Sequence, residues 1–462
     1  MDLVLINSSD SFDGTVHVKD EVRVPLGIMS IAAFVEQSGF SVKIYDCFAQ
    51  PYTYETVLRK LREDNPIVVG INCYTTNCFA VFKLCDCIKK ALPEIIIVLG
   101  GPHPSCAYEH TARNCQSFDF LIVGQGEVPF VNLLAHPKEG GLGCLNREQV
   151  LCNKEIRPFG LPVGYTALPM PAYHLIDAKL YFSIENQAFI ASSRGCRYDC
   201  AFCCSKSIFN GCTEYRSSAQ VLEEIDFLYN RYHIKQFYFY DDNILCWGDL
   251  QRFGKQMYDR GFTWTAQATV RDVTENTIHT LKNSGCKRLS IGFESGSLRI
   301  QKNIGKIIPN DSEDRVRSLV EAGIAVRGYF MIGFPNETEE EVLDTIRMIC
   351  TMRNAGMSDL CIFPVRPYPG TRLYNYCCQQ FGEADLDRFI YLDDYLEETD
   401  SFVRSKLKAY NTIGLKQICA SFSPMQIRGL IRGAYHLFLQ LPNNEQEMKD
   451  ILLRYTKNTD II

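Results

Sequence analysis

The stretch Ser192-Ser193-Arg194-Gly195-Cys196-Arg197-Tyr198-Asp199-Cys200-Ala201-Phe202-Cys203 places three thiols at C-x3-C-x2-C spacing directly after the apolar run Ala188-Phe189-Ile190-Ala191. Three soft ligands on one short loop suit an iron–sulfur cluster. A closed four-iron cluster takes one thiolate per iron, so three cysteines leave one iron open to an external ligand, and chemistry can occur at that opening. A structural zinc site, or incidental thiols in a cysteine-rich chain, is the alternative. Tetrahedral zinc asks for a fourth Cys or His close by, and Cys204 adjoins Cys203 in an awkward geometry for that role.

The frame around this loop is that of a multidomain globular chain. Its 462 residues correspond to about three domains at ~150 residues each. The 46% hydrophobic and 22% charged content is ordinary for such a protein. A net charge of −6 argues against an electrostatic nucleic-acid binder. The start, Met1-Asp2-Leu3-Val4-Leu5, lacks the basic segment and apolar core of a signal peptide. No uninterrupted apolar run approaches the ~20 residues that span a bilayer. The 21 cysteines therefore read mostly as small buried hydrophobes in a reducing, cytoplasmic setting. Cys85/Cys87 and Cys377/Cys378 lack a ligand pattern and go with the core rather than with a second cluster.

Upstream of the loop, residues 1–140 alternate short β-like runs with amphipathic segments, the pattern of a doubly wound parallel sheet. Strands are expected at Leu3–Asn7, Ser41–Asp46, Ile67–Asn72, Ile95–Leu99 and Phe120–Val123, with a helix from Leu26 to Ser38 ended by Gly39. Ligands of such sheets bind beyond the carboxyl ends of the strands. There the sequence offers Pro25-Leu26-Gly27, Thr75-Thr76, Gly100-Gly101-Pro102-His103 and Gly124-Gln125-Gly126-Glu127. Small residues at these turns let a ligand approach the backbone, although glycine also serves ordinary turn chemistry. His103 and His17 read as turn or surface histidines. Residues 141–185, with Gly140-Gly141-Leu142-Gly143 just at their start and prolines at 158, 162, 169 and 171, read as a surface linker.

Residues 186–374 repeat a strand-then-helix unit. Besides Ala188–Ser192, strands are expected at Gln236–Tyr240, Phe262–Ala268, Arg288–Gly292, Ala325–Ile332 and Leu360–Pro364, with helical periodicity between them. Six such strands joined by helices fit the partial (β/α)6 barrel that the resemblance given below implies, and parallel barrels place chemistry at the strands' carboxyl ends. Asp241-Asp242-Asn243, Gly292-Phe293-Glu294-Ser295-Gly296 and Met331-Ile332-Gly333-Phe334-Pro335 fall there, with Arg271 just beyond the third strand. Asp241 and Asp242 are candidate catalytic side chains, and a helix cap is the plainer use of such residues. From 375 to 462 the chain reads as helical, with a wide apolar face over Ile427–Leu439 suited to covering the barrel.

The thiol spacing, the preceding strand and Phe202 resemble the radical S-adenosylmethionine (radical SAM) superfamily. The ordered glycine turns ahead of them resemble the cobalamin-binding domain of that superfamily's class B methyltransferases. The resemblance implies a [4Fe-4S] cluster on Cys196, Cys200 and Cys203 whose open iron is chelated by SAM. It implies SAM contacts at Phe202, Arg271, Glu294, Ser295, Ile332 and Gly333. It also implies a cobalamin over Pro25, Leu26, Gly27, Thr75, Thr76, Gly100, Gly101, His103, Gly124, Gly126 and Glu127. The motif D-x-H-x-x-G is missing, so the implied cobalamin has no protein histidine beneath cobalt. The implied reaction is methyl transfer from methylcobalamin to an unactivated carbon or phosphorus centre after a 5′-deoxyadenosyl radical has taken a hydrogen atom. Cyclisation or rearrangement with the same cofactors, or a non-catalytic iron–sulfur or corrinoid carrier, are the alternatives. Implied partners are a small-molecule or peptide substrate and an electron donor such as flavodoxin or ferredoxin, with no nucleic acid and no membrane span.

Overall fold

The computed structural model describes residues 1–16, 24–137, 139–153, 155–381, 389–391, 401, 403–404, 406, 412–414 and 421–456. The backbone gathers into two compact units. The first comprises Met1–Tyr198, Cys203–Gln236 and Pro369–Thr371, and the second Asp199–Phe202, Phe237–Tyr368 and Arg372–Ile462.

The first unit opens with β1 (Leu3–Asn7), α1 (Leu26–Gln37), β2 (Val42–Asp46), α2 (Tyr54–Asp64), β3 (Val68–Asn72) and α3 (Cys78–Ala91). It continues with β4 (Ile96–Gly100), the short α4 (Pro102–Cys106) and α5 (Tyr108–Asn114), β5 (Phe120–Ile122) and α6 (Glu127–Ala135). Strand order is β2-β1-β3-β4-β5, all parallel, as expected of a doubly wound sheet. A sixth strand, β6 (Cys144–Leu145), adds antiparallel to β5. Successive residues of a strand point to opposite faces. Val4, Ile6, Val69, Ile71, Ile97 and Leu99 line one apolar layer, while Leu3, Leu5, Val68 and Val98 line the other. Helices therefore cover both faces, and strands such as LVLIN are buried along their whole length.

The expected linker is more ordered than its Gly/Pro punctuation suggested. Besides β6 it holds α7 (Arg147–Cys152), started by a reciprocal capping box between Asn146 and Gln149, and α8 (Ala178–Glu185), started by Asp177. It does not merely run over the surface, because Tyr173 and Tyr181 are buried. Their hydroxyls donate to Glu224 (2.6 Å) and Asp46 (2.8 Å). The unit ends with β7 (Ala188–Ile190), β8 (Ser193–Arg194), α9 (Ser205–Ile208), β9 (Glu214–Tyr215) and α10 (Ser218–Tyr232), with β8 and β9 paired antiparallel.

The second unit contains β10 (Gln236–Phe239), α11 (Leu250–Asp259), β11 (Thr263–Thr269), α12 (Glu275–Lys282), β12 (Cys286–Glu294), α13 (Leu298–Ile304) and α14 (Ser312–Glu321). After these come β13 (Ala325–Ile332), α15 (Glu339–Asn354), β14 (Asp359–Pro364), α16 (Arg372–Phe381), α17 (Pro424–Leu439) and α18 (Glu445–Thr456). Its strands lie in the order β14-β13-β12-β11-β10, and β11 to β14 pair in parallel. With Ala188–Ile190 in the first unit, all six strands expected of the barrel are present. Here β11 alternates: Trp264, Ala266 and Ala268 are buried, while Thr263, Thr265 and Gln267 are half-exposed, whereas β12 is buried continuously from Leu289 to Glu294. Trp264 joins Phe239 and Phe253 in edge-to-face contacts with ring centroids 5.6 and 6.1 Å away. α17 is buried along most of its length, and the Ile362 N–H of edge strand β14 donates to the Tyr435 hydroxyl (2.8 Å). None of the described helices is long and apolar enough to cross a membrane.

Candidate active site

The thiol loop begins on a fixed base. Gly195 has φ +82°, and a Cβ there would lie 2.1 Å from the Cys212 carbonyl oxygen, so only glycine can precede Cys196. At the loop's other end the Ser205 N–H donates to Cys203 Sγ (3.5 Å), and Cys203 is exposed. Such N–H donors stabilise a sulfur that carries negative charge. Cys204 shares a hydrogen bond with Cys106; that bond, and then burial, push the Cys106 thiol up. Cys204 is thus already engaged by Cys106. Residues 199–202 are counted with the second unit, where the Ala201 N–H donates to the Ile304 carbonyl (2.8 Å) and the Leu373 N–H to the Ala201 carbonyl (2.9 Å). Phe202 packs against the apolar cluster that contains Met331, Phe334 and Val365. Among the described residues no three His, Cys, Asp or Glu side chains already converge at metal-binding distance. The chemistry of the donor set nevertheless suits a cluster: three thiols on eight residues of chain, one of them already accepting a backbone N–H.

The carboxyl rim of the first sheet is a hydrogen-bonded polar floor. Asn7 donates to Asp46 Oδ1 (2.8 Å), Asn72 donates to Asn7 Oδ1 (3.2 Å), and the Ser8 N–H donates to Asn72 Oδ1 (2.7 Å). Burial raises the Asp46 carboxyl, against the lowering pull of Asn7 and Tyr181. The rim glycines divide into two kinds. Gly101 (φ +99°) and Gly124 (φ +97°) are demanded by their backbone, and a Cβ at Gly124 would lie 2.5 Å from the Phe159 carbonyl oxygen. A Cβ at Gly126 would meet Ile31 Cδ1 at 2.9 Å. These three therefore answer to internal packing. Among the described residues, Gly27 has no heavy atom within 4 Å of its Cβ position, and at Gly100 the nearest is the Ile122 carbonyl oxygen at 3.9 Å. That small-residue surface fits a planar corrinoid approaching the backbone. Pro25 is buried, whereas Leu26, Thr75 and Thr76 are half-buried on the same turns.

His103 is fully buried. Its Nδ1 pairs with Thr75 Oγ1 (3.2 Å) and its Nε2 with His110 Nδ1 (3.1 Å). Burial, and then His110, pull it down to about 3. Both ring nitrogens are engaged within the domain, as a histidine kept away from cobalt would be. His17 lies outside the described residues.

In the second unit, a register shift between Gly292 and Glu294 turns Glu294 into a buried position at φ +64°, a backbone a non-glycine residue adopts only at a cost. Lys306, which the sequence reading passed over, donates to Glu294 Oε1 (2.6 Å). Ser295 is buried and its hydroxyl pairs with Thr345 Oγ1 (3.1 Å). Gly333 has φ +102° and follows the buried Ile332. Glu337 accepts the N–H groups of Gly333 (2.6 Å) and Phe334 (3.1 Å). Burial raises its carboxyl to about 7 despite both bonds. The neighbouring acids diverge: Asp241 is fully buried and Asp242 exposed. Asn243 donates to Asp272 Oδ2 (2.6 Å) and accepts the Thr269 N–H (3.3 Å). Arg271 donates to the carbonyls of Ile307 (2.9 Å) and Gly305 (3.1 Å), bracing that turn. Arg194, Gln125 and Ser30 were also passed over; Arg194 stood in the quoted stretch, but sequence spacing carries no sign of its distant partners.

Comparison with known proteins follows the same division. Residues 17–134 match the B12 binding domain and residues 190–349 the radical SAM superfamily. An uncharacterized methyltransferase of Pyrococcus horikoshii is 30% identical over 90% of this chain and 88% of its own length. An anaerobic magnesium-protoporphyrin IX monomethyl ester cyclase of Rubrivivax gelatinosus is 21% identical over 83% of this chain and 71% of its own. Among solved structures, the radical SAM methyltransferase TsrM from Kitasatospora setae, with cobalamin and a [4Fe-4S] cluster bound, superimposes with a TM-score of 0.69 at 14% identity, covering 99% of this chain and 100% of that one. With the Pyrococcus relative matched at that identity along almost its entire length, and both domains in that order, the chain belongs to the cobalamin-binding-domain family of radical SAM methyltransferases.

Proposed function

We propose that this protein cleaves SAM at a cluster held by Cys196, Cys200 and Cys203 and transfers a methyl group, by way of a cobalamin bound on the first sheet's rim, to an unactivated carbon or phosphorus centre of a small molecule or peptide. The cluster, when bound, supplies the electron that splits SAM into methionine and a 5′-deoxyadenosyl radical, and the corrinoid carries the methyl group. The chain's own residues hold and shield. Gly195 fixes where Cys196 begins, the Ser205 N–H faces Cys203, and the Phe202–Met331–Phe334 cluster gives an apolar wall that keeps water from a radical. The Glu294–Lys306 pair and the Gly333–Glu337 turn offer a carboxylate and a glycine surface for SAM. An external electron donor such as flavodoxin or ferredoxin completes the reaction.

The observation that carries this reading is the thiol loop's glycine-locked base in a unit whose sheet rim leaves Gly27 and Gly100 uncovered. The test is anaerobic reconstitution with reductant and SAM labelled in its methyl group. The reading requires 5′-deoxyadenosine together with a labelled methyl increment in product. A product lighter by two hydrogens supports cyclisation instead, and absence of 5′-deoxyadenosine with a loaded cluster leaves only a carrier.

A further inference from the structure

Arg194 immediately precedes the locked Gly195, and its side chain is buried among partners far away in sequence. Nη1 donates to Gln125 Oε1 (2.8 Å), and Nη2 donates to Ser30 Oγ (2.9 Å) and pairs with Glu127 Oε1 (2.8 Å). Ser30 Oγ itself donates to Glu127 Oε1 (2.8 Å). The guanidinium also lies over the Tyr165 ring, 4.6 Å from its centroid. The side chains of Arg194 and Glu127 are only 14% and 2% exposed. Burial alone would raise the Glu127 carboxyl, yet the Arg194 charge brings it below its ordinary value, so the pair stays ionised. The backbone of Arg194 is held as well, paired with Glu214 in the β8–β9 ribbon, and Gln125 reaches Glu214 Oε2 (3.4 Å).

Apart from Tyr165, the side-chain partners named come from two stretches. Ser30 lies on α1, directly after Pro25–Gly27, while Gln125 and Glu127 belong to the turn after β5. Both stretches belong to the carboxyl rim of the first sheet, on which the resemblance places the corrinoid. A buried ion pair adds little net stability over an apolar pair of similar volume, so stability is a poor reason for this one. A planar, multiply bonded guanidinium does fix geometry. Only Gly195 separates Arg194 from Cys196, and its φ of +82° beside the Cys212 carbonyl is a backbone no other residue could adopt there, so a shift at Arg194 reaches Cys196 through two peptide bonds.

We infer that Arg194 is a positioning residue that couples the two cofactor loops: a ligand on the Pro25–Gly27 and Gly124–Glu127 rim sets the placement of Cys196, and ligation of Cys196 orders the rim in return. The inference rests on the cobalamin reading, and such coupling is reciprocal by thermodynamic necessity.

Two measurements on the full chain decide it. Hydroxocobalamin is titrated into protein with and without a reconstituted cluster. The wild type should show affinities differing by roughly 5- to 150-fold, while Arg194→Lys and Glu127→Gln, which keep a charge or a shape but lose the fork, should bring that ratio close to one. An unchanged ratio in both variants overturns the inference. In cofactor-free protein, amide exchange at residues 193–198 should rise roughly tenfold in Glu127→Gln, the scale of a lost local coupling, and unchanged exchange there also overturns it. If the single variants do not fold, the apolar pair Arg194→Met with Glu127→Met replaces them, and wild-type coupling in that pair counts against the inference. A wild type that binds no hydroxocobalamin in either state refutes the cobalamin reading, and the exchange arm then judges the Arg194 linkage on its own.

Discussion

The two parallel sheets of this chain are built on opposite plans. In the first, every strand residue of β1 is buried and apolar side chains line both faces, so no ligand fits within the sheet. Its rim is finished with glycines and with asparagines that bond one another, leaving backbone and small side chains for a ligand to rest on. In the second, strands such as β11 alternate, and acids stand at the carboxyl ends: Glu294 on a strained backbone and Glu337 under two N–H groups. One sheet offers a surface and the other offers aimed side chains. The first should therefore be sensitive to added volume, and the second to altered charge.

The largest expected effect separates the two plans altogether. Replacing Cys196, Cys200 and Cys203 by Ala together should abolish iron–sulfide absorbance and 5′-deoxyadenosine formation, while the first sheet keeps its fold. Cys204→Ala should leave iron content almost unchanged, because that thiol is already bonded to Cys106. Near-normal iron, sulfide and SAM cleavage in the triple variant would undo the cluster assignment.

Next in size is Gly124→Ala. Its φ of +97° and the 2.5 Å approach to the Phe159 carbonyl combine backbone strain with overpacking, about 4 kcal/mol in all on typical values. Urea unfolding should show a loss of that order. A loss below about 1 kcal/mol would mean that the turn relaxes easily and that the close packing of Gly124 against Phe159 does not hold. Because the fold itself suffers, a drop in cobalamin occupancy at Gly124 or Gly101 would say little about ligand contact.

How far this was legible in the sequence depends on the range of the interaction. Strand positions were, because burial on two faces writes continuous apolar runs and burial on one face writes alternation: Leu3–Asn7 and Ala325–Ile332 were placed to the residue. Short-range locks were partly legible. Glycine at 101, 124 and 195 announces a special backbone, but spacing cannot tell a turn that packs against Phe159 or Cys212 from one left open for a ligand. Long-range polar pairings were not legible. Arg194 with Glu127, Lys306 with Glu294 and Tyr181 with Asp46 join residues whose separation carries no periodic signal. The supposed linker was misjudged for the same reason, since its buried tyrosines find their partners elsewhere in the chain.

The charge-sensitive plan of the second sheet predicts a pH signature. Burial raises Glu337 from its ordinary 4.5 to about 7. Between those values the folded chain holds a proton that the unfolded chain has lost, so this group's contribution to stability falls as pH rises through that window. The full difference is at most about 3 kcal/mol. Glu337→Gln cannot titrate, so subtracting its stability from the wild type's at each pH should isolate a downward slope between roughly pH 4.5 and 7. A flat difference would show that the carboxylate is well solvated there and that this rim is not the dry site described.

The smallest stability effect carries the sharpest test of the first sheet's plan. Gly27 is the second residue of α1, is exposed, and among the described residues has no heavy atom within 4 Å of its Cβ position. Gly27→Ala there should stabilise the helix slightly, by about 0.5 kcal/mol, because alanine loses less backbone entropy on folding. Gly27→Phe should likewise leave the melting temperature close to that of the wild type, since among the described residues no heavy atom lies within 4 Å of the Cβ position from which the ring would extend. If the rim is a resting surface for a flat ligand, that ring stands where the ligand must lie, and cobalamin affinity should fall at least tenfold while the thiol loop still loads iron. Unaltered affinity in Gly27→Phe would place the ligand away from the amino end of α1. Stability and binding separate at this position because, among the described residues, none stands within 4 Å of an added Cβ, while the ligand's surface would.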